Sequence, residues 1–226
     1  MTNQGASGWI RAGVWALPLY GLLTLWTTFT HQPDPNADFE AYARYVSTTN
    51  YLVGHLVGSI LGTILAIFGT VALSAYLVGG RAGRLALFAL LSSVAGNALI
   101  LTIFGMSTFA TPAVGRAYLA GQQGVVEVNQ DILGVLLVVT ALLGGLLYSV
   151  GTILFGIAIW RSNTLPGWAG ILYAPAGLLI SIVGLVIGQA QTLGAALLIA
   201  GSGWIAWSVF RRPAGTIDVE GQPRVW

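Results

Sequence analysis

Two histidines and two carboxylates are the side chains best suited to chemistry in this 226-residue chain. His31 closes the first long apolar segment and His55 stands about one turn into the second, while Glu127 and Asp131 are four residues apart. That spacing puts both carboxylates on one helical face, where they repel by a few tenths of a kcal/mol when solvated. A cation, a shared proton or an arginine is needed to offset more than that. Two imidazoles with one or two carboxylates make a ligand set for zinc or iron. His31 and His55 alone could also hold one haem iron from both faces. No short-spaced pair such as HxxxH supports either chemistry, so a divalent metal or haem b is the minor expectation. The leading one is plain ion pairing of Glu127 and Asp131 with Arg116 or Arg44, under surface helices that close over them. No catalytic residue stands out, and a non-enzymatic role is the better reading.

The elements that position these residues are written in the distribution of charge. Only 7% of the chain is charged against 56% hydrophobic, with a mean hydropathy of +0.81. Soluble domains carry roughly a quarter charged residues. Segments free of acidic and basic residues run 12–33, 45–80, 85–115, 132–160 and 162–210. A transmembrane helix needs about 20 apolar residues, so the last of these holds two, divided near Gly188–Thr192. The expected fold is an all-α, polytopic membrane bundle of six transmembrane helices, spanning about 9–30, 51–78, 85–108, 128–160, 167–188 and 192–210. Residues 211–226 form a polar tail. All nine basic residues are arginine. Arg11, Arg81, Arg84, Arg161, Arg211, Arg212 and Arg224 fall at one set of helix ends, and only Arg44 and Arg116 at the other. By the positive-inside rule, the arginine-rich rim and both termini are cytoplasmic, and the expected location is a bacterial inner (plasma) membrane. The basic rim then meets lipid headgroups, so no nucleic-acid partner is expected.

Two short amphipathic helices are expected on the outer surface. One covers 35–48, capped by Asp34 with Pro35 in its first turn, with Glu40 and Arg44 as an i, i+4 pair. The other covers 112–123, after Thr111-Pro112. Pro18 and Pro175 are positioned to kink the first and fifth spans. Glycine is abundant at 31 residues, with Gly54, Gly58 and Gly62 four apart and Gly170, Gly177 and Gly184 seven apart. Small residues let membrane helices approach closely, within one bundle or against a partner or second copy. Gly62 and Gly69-Thr70 also recur 82 residues later as Gly144 and Gly151-Thr152, a weak internal echo.

Several functions are disfavoured or excluded by what is missing. No acidic or basic residue lies mid-span, which counts against ion-coupled transport, proton pumping and voltage sensing. There is no lysine for a retinal Schiff base and no cysteine for thiol or iron–sulfur chemistry. Asn97 is the most polar mid-span side chain and is expected to hydrogen-bond between helices. The segment Arg161-x-x-x-Leu165-Pro166-x-Trp168-x-Gly170 resembles a cytoplasmic turn of bacterial multi-pass proteins, with no chemistry attached. The sequence-based expectation is an accessory or assembly subunit packed through its glycine-rich faces. The alternatives are an outer pocket of His31, His55, Glu127 and Asp131 for a metal, haem or small solute, and a facilitator for a neutral solute.

Overall fold

The computed structural model describes residues 4–30 and 32–211, and every regular element among them is helical. His31 and the tail from residue 212 lie outside the described residues. Five helices are long and apolar enough to cross a membrane: Thr49–Leu77, Gly83–Leu119, Val125–Ser162, Gly167–Leu185 and Gly188–Arg211. The expected first span is split into α1 (Gln4–Val14) and α2 (Ala16–Thr27), so neither half reaches spanning length alone. Pro18 causes the split. It has no N–H for the Val14 carbonyl and its ring crowds that oxygen. The chain turns at Trp15, whose N–H bonds Ala12 O at 3.2 Å.

The loop-bearing end differs most from the sequence reading. The surface helix α3 covers Phe39–Val46, not 35–48. Its cap is Asp38, whose carboxylate accepts the Ala41 N–H at 2.9 Å, while Asp34 closes a tight turn onto the Asn36 N–H. Next comes α4 (Thr49–Leu77), wound as a π-helix over Gly54–Leu61. The third span, α5 (Gly83–Leu119), runs straight through Pro112. The separate surface helix expected over 112–123 therefore does not exist. With 37 residues α5 is about 55 Å long, well beyond the hydrocarbon thickness. Its extension gives α3 something to bury against. Tyr42, Ala43 and Val46 are buried, and Gly115 of α5 sits so close that an added Cβ would lie 2.7 Å from Val46 Cγ2.

The fourth span was expected as one rod, and it too is broken. A short α6 (Val125–Ile132) precedes α7 (Val135–Ser162), with Gly134 extended between them at φ −65°, ψ −178°. In the fifth span, Pro175 interrupts the helix as anticipated, giving α8 (Gly167–Tyr173) and α9 (Ala176–Ser181) before a single 3-10 turn. The last span, α10 (Gly188–Arg211), begins at Gly188. Gln189 and Gln191 are thus in its first turn and not in a connecting loop, and Gln191 Nε2 lies 3.5 Å from Ile180 O.

Each rod packs on its chain neighbours, and α10 packs back on α2, closing a ring whose spatial order is the chain order. Three helical hairpins make up this ring, and all three are joined in the same way. Gly62 and Gly69 of α4 lie against Tyr20 and Leu17 of α2; Gly144 and Gly151 of α7 lie against Gly96 and Ser93 of α5. Gly194 and Gly201 of α10 repeat the arrangement against Ala176 of α9 and Tyr173 of α8. In every case the second glycine is followed by a buried hydroxyl, Thr70, Thr152 or Ser202. These hydroxyls bond back to their own helices, at Ile67 O, Ser149 O and Leu198 O. The echo at 82 residues thus has a third member, which sequence reasoning missed because the last spacing differs.

Candidate binding groove

Of the four residues singled out for chemistry, His31 lies outside the described residues, and the other three stand on two elements, His55 on α4 and Glu127 and Asp131 on α6. His55 is half-buried in the π-wound part of α4, with its ring 4.0 Å from that of Tyr51. His55 Nδ1 lies 3.1 Å from Tyr51 O, and because a carbonyl only accepts, that contact favours the tautomer with the proton on Nδ1. Tyr51 in turn donates its hydroxyl to Ser107 O at 3.0 Å, tying α4 to α5. Glu127 and Asp131 sit on the exposed face of α6, opposite the buried Val125 and Asn129. Among the described residues no three of His, Asp and Glu are grouped closely enough to hold a metal ion.

The expected pairing of these carboxylates with Arg44 or Arg116 also fails. Arg44 pairs with Glu40, Nη2 to Oε1 at 2.6 Å, one turn away on α3. That pair is exposed on both sides, so it contributes little to stability. Arg116, on the last turn of α5, has no carboxylate partner among the described residues. Asn97 is fully buried, but its amide donates to Ser93 O of its own helix at 2.8 Å and not across the bundle. The interhelical bonds come instead from hydroxyls, with Ser92 donating to Leu147 O at 2.7 Å and Ser149 and Ser181 3.1 Å apart.

What the loop-bearing end does build is a groove of about 410 Å³ between the start of α4 and the end of α5. Its upper part is polar, formed by Ser47, Thr48 and Thr49 with Arg116 opposite. The lower part is mostly apolar, formed by Leu52 and Leu56 on one side and Phe109 and Pro112 on the other, with Thr108 beside them donating its hydroxyl to Phe104 O of its own helix. Two antiparallel helices therefore give the same order of chemistry along one axis. Leu52 and Leu56 both line the groove, on either side of the point where the winding of α4 changes at Gly54. Thr48 caps α4 by accepting the Tyr51 N–H at 3.2 Å while donating to Tyr45 O at 2.7 Å, so its hydroxyl is already engaged. Ser47 is similarly bound to Ala43 O. Arg116 and Thr49 are left as the groove's open polar groups. A second, shallower hollow of about 450 Å³ lies beside it, lined by Glu40, Arg44 and Tyr118.

No protein-family model, curated protein or solved structure matches the chain. Sequence reasoning missed the groove, although one signal was present. Arg44 and Arg116 are the two exceptions to the arginine asymmetry, and Glu40 accounts only for Arg44.

Proposed function

We propose that the chain is a six-span membrane protein of the plasma membrane, both termini cytoplasmic, whose outer end binds an amphipathic molecule in the Arg116 groove. One feature supports this reading: Arg116 and Thr49 lie at one end of the groove and Leu56 and Phe109 at the other, the order that headgroup and hydrocarbon would take in the proposed bilayer. The sixth span is α1 with α2, which together take one place in the ring despite the break at Trp15. Seven of nine arginines at one rim support the orientation. Other readings gain less. The glycine ladders are spent on seams within the chain, so they offer few free faces to an assembly partner. The bundle interior is filled by Tyr148, Phe155 and Tyr173 where a solute path would run.

Two measurements test the proposal. The natural chain has no cysteine, so single cysteines report topology cleanly. Gln122→Cys should react with an impermeant maleimide from outside whole cells, and Gly79→Cys only after the membrane is opened. Second, native mass spectrometry of the detergent-released chain should show about one retained phospholipid, lost in Leu52→Trp, which blocks the groove. A chain that retains none, or retains the same number when blocked, ends the amphiphile reading.

A further inference from the structure

We infer that the groove selects an anionic, phosphate-bearing lipid headgroup, with Arg116 as the residue that reads the charge. The inference rests on the amphiphile reading above and adds the chemistry of the ligand. Three observations meet at this point. Arg116 lines the polar end of the groove and has no carboxylate partner among the described residues. No acidic residue lines the groove with it. The open Thr49 hydroxyl lies on the same polar end, and a phosphate offers acceptors to both it and a guanidinium.

Axial order then fixes how such a molecule lies. Arg116 precedes Pro112 and Phe109 going into the bundle along α5, as Thr49 precedes Leu52 and Leu56 along α4. From Arg116 to Phe109 is about 10 Å of helix, enough to pass from a phosphate to the first acyl carbons. Phe109 is 64% exposed and Leu56 38%, so an acyl chain placed there covers apolar surface on both helices. A free inorganic anion would use only the upper half of the groove. Arg44 has the same charge nearby, but Glu40 neutralises it, which makes it the natural control.

The test uses the full chain in nanodiscs, with phosphatidylglycerol and phosphatidylcholine of matched acyl chains competing for the retained position. Phosphatidylglycerol should be preferred. Arg116→Gln should reduce that preference about fivefold, the effect of one cationic side chain near a charged surface. Arg44→Gln, with the same change in net charge, should leave it unaltered. Equal retention of the two lipids overturns the inference while leaving amphiphile binding intact. Equal losses in the two arginine variants overturn it as well, because the effect would then be general surface charge. If inorganic phosphate alone displaces the lipid, the site belongs to a free anion and the lipid assignment falls. Retention of neither lipid overturns both the inference and the amphiphile reading beneath it.

Discussion

Arg44 and Arg116 carry the same side chain at the same end of the molecule, and what separates them is a single neighbour. Glu40 stands one turn before Arg44 on α3, a pairing that the i, i+4 spacing made legible in the sequence. The situation of Arg116 was not legible, because it depends on α5 continuing four residues past Pro112. Tyr42 offers a test of how firmly α3 is held there. Burial against α5 pushes its phenol above the ordinary value of 10.0, and the nearby Thr111 hydroxyl offsets part of that rise. A raised value in the folded state means that the neutral phenol is favoured by docking. Its contribution is complete below about pH 10 and is lost as pH climbs through the folded value. Protection of the α3 amides, with the base-catalysed intrinsic rate divided out, should therefore fall above that pH, and Tyr42→Phe should remove this fall. An unchanged profile in Tyr42→Phe would show that another group releases the helix.

At the scale of elements, length, hydropathy and the breaks at Pro18 and Pro175 were readable, but the continuation through Pro112 and the break at Gly134 were not. Thr111-Pro112 looks like a helix start, since proline is well placed in a first turn. In the folded chain proline costs one hydrogen bond there, and the buried face of α3 makes the continuing helix worthwhile. At Pro18 the helix does divide, at Trp15, although α1 beyond the break is also packed, with Val14 buried and Gly13 against Ala72 of α4. The acidic pair on α6 shows another limit. The i, i+4 spacing placed Glu127 and Asp131 together correctly, but it could not say that Val125 and Asn129, at the same spacing, would be the buried face. For α3 the decisive residue is the cap. Asp38→Ala should destabilise the helix by about 1 kcal/mol, seen as faster exchange at the Ala41 amide. Asp34→Ala should leave that amide unchanged, because Asp34 serves the preceding turn.

For the whole molecule, the glycines divide into those that make seams and those that face outward. Gly201 is backed by the main chain of α8, with an added Cβ only 2.8 Å from Tyr173 N. Gly201→Ala should lower the melting temperature in detergent, at a cost of about 1–3 kcal/mol of overpacking. Gly203, two residues on, meets nothing within 4 Å. Gly203→Ala should be neutral or stabilise by up to about 1 kcal/mol, since alanine restricts the unfolded helix more. Equal effects at the two positions would mean that the last hairpin is not joined as described. Composition revealed that glycine mattered, but only the contacts separate these two neighbours.

The closed ring also sets a timetable for synthesis. Each hairpin has both partners consecutive in the chain, so its own seam can form as soon as its second helix emerges. The contact of Gly21 on α2 with Ile199 on α10 is different, because its two sides are made first and last. Until the ribosome has passed Arg211, the newborn chain must carry α2 with the flank at Gly21 uncovered. A premature stop anywhere before α10 would leave the other seams formed and the ring permanently open.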